Sequence, residues 1–266
     1  MRVLLMYHEG ELEAQRRAGV GELAERVGRI IRSTIPAAAA EFLAARPFVI
    51  VATTNAEGAV HASLLGGTAE ATGESTIVMR PSSGHLELVR DDVAATGVIG
   101  MLAIDFPTRR RMRVNGRAVW EGDALRVSTN EVYSNCPQYI DEHAPGVVRA
   151  SGAPWGGGAP EARTTRQLTE AKTFFLATAH PERGADASHR GGPAGFVRVS
   201  DDRVSWPDFP GNNMFNSIGN LLVNPRCGLL FLHPDGSTLQ LEGTAAVQWE
   251  GERRIEVKIE RSIGYP

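Results

Sequence analysis

Two short stretches carry the residues whose types and spacing could hold an anion. One is Ser188-His189-Arg190, followed by two glycines. The other holds Asn212, Asn213, Asn216, Ser217 and Asn220, between a strand end and a helix start. Backbone N–H groups at a helix N-terminus, joined by hydroxyl and amide side chains, make a phosphate site. Arg190 would add a charge-assisted hydrogen bond. The same asparagines would also serve as caps and turns. A third group is Arg109, Arg110, Arg111 and Arg113 in TRRRMRVNG. On a strand, Arg109, Arg111 and Arg113 share a face. Like charges so placed repel unless an anion or carboxylates lie nearby. They read either as a solvated face paired with Asp and Glu or as the far wall of an anion site.

These residues sit inside a duplication. FVIVATTNAEGAVHASLLGG begins at Phe48, and FFLATAHPERGADASHRGG begins at Phe174. GMLAIDF from Gly100 matches GLLFLHP from Gly228, and RMRVNGRAVWEG matches LQLEGTAAVQWEG. The copies diverge where a ligand would act. Copy one has Leu64 and Leu65 where copy two has His189 and Arg190. Copy one also has LELVRDD in place of the asparagine loop, and Asp91 and Asp92 would repel a phosphate. The expectation is one working site, built mainly by copy two, and a decayed counterpart.

The repeats set the elements. Leu12, Val20, Leu23, Val27, Ile30 and Ile31 recur at helical spacing over Glu9 to about Ala45, interrupted at Pro36. From Phe48 the period shortens to that of strands: a hairpin, then TIVMRP, VIGMLAIDF and RMRVNGRAVW, with LELVRDDVAATG as an inserted helix. Copy two repeats this order, with FVRVS, RVSWP, a helix near MFNSIGNLLVN, CGLLFL and TLQLEGTAAVQW. Short strands with one inserted helix predict a small antiparallel barrel per repeat. NEVYSNCPQYIDEH reads as a short helix, and SGAPWGGGAPEA as a surface loop or linker. The predicted organisation is a helical extension (1–41), a first barrel with a degenerate site (42–128), a connecting segment (129–169) and a second, cofactor-binding barrel (170–266). The barrels are expected to pack as an internal pseudo-dimer.

Composition narrows the function. A net charge of −3 gives no global attraction to nucleic acid or anionic membrane. No apolar stretch approaches the length of a membrane span, and MRVLLMYHEGE is a poor signal peptide. Cys136 and Cys227 form no CxxC pair, which suits a reducing cytoplasm and argues against structural zinc. Cys227 is expected to pack as a small hydrophobe, Cys136 and Tyr139 to pack in the connecting segment, and His85 to lie at the surface.

The strand order, the helix followed by Asn224–Arg226, the strand GLLFL and then LQLEG resemble the FMN-binding split barrel of the pyridoxamine 5′-phosphate oxidase superfamily. HEGELEAQRRAG, NCPQYI and HPERGADASHRGGPAGFVRV are similar to its double-barrel bacterial members. The resemblance implies FMN bound non-covalently between two barrels, with its phosphate at Asn213–Ser217. It implies that Ser188–Arg190 lines the ribityl chain and ring, with Trp206, Pro207 and Asp208 opposite. One departure is that Asn216 and Ser217 replace the oxidase's Arg-Lys pair, so charge must come from Arg190 or from Arg111 and Arg113 of the other barrel. The oxidase's substrate-binding elements are not recognisable. The expected activity is an FMN-dependent oxidoreductase acting on a small organic substrate, fed by a separate flavin or nicotinamide donor, with room for homodimerisation. The alternatives are a deazaflavin- or haem-binding split barrel, with His189 on the iron, and a flavin-binding stress-related protein without turnover.

Overall fold

The computed structural model describes residues 6–134, 137–142, 156 and 162–266. Cys136 and most of the SGAPWGGGAPEA stretch lie outside the described residues. No helix among the described residues is long and apolar enough to cross a membrane.

The helical extension is three helices, α1 (Glu9–Ala18), α2 (Gly21–Gly28) and α3 (Ala37–Ala44). His8 starts α1 through a capping box: its Nδ1 accepts from Gly10 N–H, and Glu11 accepts from His8 N–H. Gly19 ends α1 in the left-handed region at φ 69°, where a side chain would be strained. The helical stretch read from the sequence is therefore broken at Gly19 as well as near Pro36. α3 runs past residue 41 and buries Phe42 and Leu43 in the first barrel's core.

The first barrel holds β1 (Phe48–Thr54), β2 (Val60–Gly73), β3 (Thr76–Gly84), α4 (Leu86–Thr96), β4 (Val98–Asp105), β5 (Arg110–Glu121) and β6 (Ala124–Ser134). Its strands close in the order β1-β2-β3-β6-β5-β4. The NEVYS part of the expected connecting helix is instead the end of β6, and the barrel extends past residue 128 to Ser134. Cross-strand pairing of Val132 with Val114 and of Tyr133 with Arg113, together with burial of both side chains, overrides any helical preference there.

After α5 (Ala162–Glu170) comes the second set: β7 (Thr173–His180), β8 (Gly184–Gly191), β9 (Arg198–Ser200), β10 (Arg203–Pro207), α6 (Asn216–Val223), β11 (Arg226–Leu232), β12 (Thr238–Gln248) and β13 (Arg254–Tyr265). The order β8-β7-β11-β12-β13-β10-β9 repeats that of the first barrel. The one long strand β2 corresponds to two strands, β8 and β9, because Gly192, Pro193 and Gly195 interrupt the ladder. The chain is mainly β with some helices: two antiparallel sheets in tandem, each a split barrel.

Each barrel has its own core, around Met79, Met101 and Leu125 in the first and Phe174, Trp206 and Phe231 in the second. A third cluster joins Ile50, Leu64 and Leu102 of one barrel to Phe175, Ala187 and Leu230 of the other. The matched glycines mark the crossing. A Cβ at Gly100 would lie 2.5 Å from Ala185 O, and one at Gly228 would lie 2.6 Å from Val60 O. Only glycine lets the two sheets approach this closely.

Candidate functional site

The strand β5 of the first barrel faces β8 and α6 of the second, and a small cavity of about 90 Å³ opens between them. Arg111 and Arg113 reach it from β5, His189 and Arg190 from β8, and Asp208 from the loop after β10. Gly211, Asn212, Asn213, Asn216 and Ser217 supply the wall at the start of α6. Asn213 and Phe215 hold positive φ, 60° and 63°, and this turns the loop into the helix. The N-cap Phe215 makes no side-chain capping bond to α6, and the positive end of the helix dipole points at this cavity's wall.

The side chains are tied to one another. Arg113 Nη1 lies 3.0 Å from Asp186 Oδ2 in a buried ion pair between the barrels. Ser217 Oγ lies 3.3 Å from Asp186 Oδ2 and 3.0 Å from Ser188 Oγ. Arg190 pairs with Asp208 at 3.2 Å, and Asp208 also holds Arg253 at 2.7 Å. Asp208 is thus shared, and the buried Nε of Arg190 has no hydrogen-bond partner. Burial pulls the Arg190 pKa down, with Asp208 opposing. Arg111 donates to His189 Nδ1 at 3.0 Å, and His189 Nε2 lies 3.3 Å from Thr173 Oγ1. Burial, then the nearby arginines, hold the His189 pKa well below its ordinary value, so the ring is neutral. Among the described residues, the guanidinium groups of Arg111, Arg113, Arg190 and Arg253 gather at this cleft, with Asp186 beside Arg113 and Asp208 between Arg190 and Arg253.

The structure brings Arg111, Arg113, His189, Arg190, Asp208, Asn212, Asn213, Asn216 and Ser217 together on one cavity. Four other expected residues do not line it. Ser188 is fully buried behind Ser217, and Trp206 packs edge-on against Phe174 in the core. Pro207 is buried beside Trp206, and Asn220 points at the other side of α6, where it meets His8 and Thr178. Arg109 lies outside this cavity and pairs with Glu142 at 3.5 Å. Sequence reading missed Arg253, which stacks over the Phe215 ring at 4.8 Å. It also missed α1 as a support. Asn216 Nδ2 donates to Glu11 at 2.6 Å, and Gln15 donates to Met214 O at 2.9 Å. The visible signal was the polar run His8, Glu11 and Gln15 along one helix face. Tyr139 stacks on Phe209 at the cavity edge, 5.1 Å between rings.

The counterpart in the first barrel is filled. Gln240 sits where Arg113 would be, since Gln240 pairs with Leu230 as Arg113 pairs with Leu102. It donates to Ala62 O at 2.8 Å. Thr238 takes the place of Arg111 and meets His85 Nε2 at 3.0 Å. His85 is not at the surface, as the sequence suggested. It is buried, accepts from Leu64 N–H on Nδ1 and packs at a tilt against the Tyr265 ring. Thr238 and Gln240 thus stand where the arginines stand in the other half, and His85 occupies the space beside them.

Among the described residues, His8, Glu9 and His180 are spaced closely enough to suggest a metal. Their hydrogen bonds argue otherwise. Both rings accept backbone N–H groups on Nδ1, so their protons sit on Nε2 and are donated to Asn220 and Glu9. A nitrogen that carries its proton does not ligate a metal.

Two tandem split barrels with a basic cleft between them define the class. A family model described as pyridoxamine 5′-phosphate oxidase matches residues 160–264. The match covers the second barrel and its leading helix, so it is this half of the chain that is similar to that family. Similar solved structures include HupZ of Group A Streptococcus, 14% identical with a TM-score of 0.30, covering 39% of this chain and 92% of that one. A FAD-binding protein from Mesorhizobium loti is 14% identical with a TM-score of 0.31, covering 42% and 96%. A nimC/nimA family protein from Clostridium acetobutylicum is 12% identical with a TM-score of 0.26, covering 39% and 79%. A search of curated proteins returns no match.

Proposed function

We propose that the cleft holds the phosphate of FMN and that the protein is an FMN-dependent oxidoreductase acting on a small organic substrate. The convergence of Arg111, Arg113, Arg190 and Arg253 on the start of α6 carries this reading. A phosphate monoester brings close to two negative charges at neutral pH, and the unpartnered Arg190 Nε is a donor awaiting an acceptor. Arg111, Arg113, Arg190, Asn213 and Ser217 would hold the group. Bound flavin would supply the redox chemistry. The chain's own part is to bind and orient it, and to keep a cationic field where negative charge develops. His189 is better suited to this than to an iron ligand, because both ring nitrogens already have partners. A separate nicotinamide or flavin donor and a cytoplasmic setting belong to the same reading.

The test is the absorption spectrum and mass of the ligand that copurifies, followed by FMN titration of Arg190→Leu. Loss of a charged hydrogen bond predicts FMN binding weaker by about 1.5–3 kcal/mol. Asp208 keeps Arg253, so the fold should survive. Unchanged FMN affinity in the folded variant would remove Arg190 from the site.

A further inference from the structure

Arg111 also lines a second and larger cavity, of about 630 Å³, on its other side. Its depth is apolar. Phe42 of α3, Met112 of β5 and Val132 of β6 are all buried there. Its mouth is cationic. Arg32, Arg109 and Arg110 are exposed around the opening, and none of the described lining residues is a carboxylate. Among the described residues, Arg109 pairs with the exposed Glu142, a pair that solvent screens. Arg110 lies over the Phe42 ring at 5.0 Å, so its charge stays beside the apolar depth. The volume falls within the roughly 300–1,000 Å³ of small-molecule sites.

The wall between the two cavities is thin. Arg111 lines both, and Tyr133 lines the second while its hydroxyl lies 3.4 Å from Asp186 Oδ1 and from Arg113 Nη1. We infer that this second cavity is the substrate side of the same centre and takes an organic anion with a flat apolar body. The apolar part would lie over Phe42, Met112 and Val132, and the anionic group would sit at Arg32 and Arg110. The cavity's role as substrate site rests on the flavin reading, whereas its preference for such an anion does not.

The test uses the full chain and two probes of the same shape, 2-naphthoate and the neutral 2-naphthalenemethanol, with binding measured by calorimetry with and without saturating FMN. Naphthoate should bind about tenfold more tightly than the alcohol, the ratio a single charge-assisted bond can give. Arg110→Gln, an exposed change, should erase most of that preference. Ala39→Trp, which fills the cavity, should abolish binding of both probes while leaving FMN titration unchanged. Equal affinity for the two probes, or no binding of either, would overturn the inference. So would displacement of naphthoate by FMN, because the cavity would then belong to the flavin itself. Naphthoate binding in a chain that fails to bind FMN would sink the flavin reading and leave the anion site standing.

Discussion

Asp186 meets Arg113 across the barrel interface, with Tyr133 and Ser217 beside it. Asp186→Ala would remove the carboxylate of this buried ion pair, at a cost of about 3–5 kcal/mol. Urea unfolding of the variant should show that loss, and a change under about 1 kcal/mol would mean that the pair matters little. Glu11 gives a pH signature. Burial, then the nearby Glu131 and Asp186, push its carboxyl from 4.5 up to about 8, against the bonds from His8 N–H and Asn216. The folded state therefore holds this proton more tightly than the unfolded chain does. The stability it contributes is full below about pH 4.5 and is lost as pH rises toward 8. Glu11→Gln should flatten that decline in an unfolding series, while an unchanged slope would place the pH dependence elsewhere. At this scale the sequence showed much. His189 and Arg190 stood out against Leu64 and Leu65, and the asparagine loop against LELVRDD. It could not show that Asp208 shares Arg190 with Arg253, because that contact joins segments far apart in the chain.

At the level of elements, α1 packs on α6 through two glycines. A Cβ at Gly10 would lie 2.1 Å from Gly219 O, and one at Gly219 would lie 2.5 Å from the Glu11 side chain. This close packing, with the Gln15 bond to Met214 O, braces the loop that starts α6. The sheet crossing uses the same device at Gly100 and Gly228. Gly228→Val should separate the sheets and destabilise the chain by about 1–3 kcal/mol or more through overpacking. Limited proteolysis and thermal unfolding would read this, and a variant as stable as the parent would contradict the close approach. The hairpins, α4 and α6 were legible because strand alternation and helical spacing are local. The repeat reading left out β6 and β13, although Ile255, Val257 and Ile259 alternate with charged residues in β13. The strand break between β8 and β9 follows from Gly192, Pro193 and Gly195. Its consequence for closure depends on pairing partners that no local pattern names.

Over the whole molecule, the duplication gives two barrels one fold, and on the proposed reading the ligand chemistry is divided unequally between them. Arg111 and Arg113 of the first barrel line the cavity against the second. In return the second barrel offers Thr238 and Gln240, which seal the first barrel's equivalent with His85. The comparison of copies shows where the two halves differ in residue type, whereas the contacts of His85, Thr238 and Gln240 join segments far apart in the chain. The decisive measurement is the number of FMN molecules bound per chain, from titration of ligand-free protein followed by flavin absorbance. The account predicts saturation at one per chain, whatever the oligomeric state. Saturation at two would show that the first barrel's position still binds, and no saturable binding at all would remove the basic cleft as a flavin site.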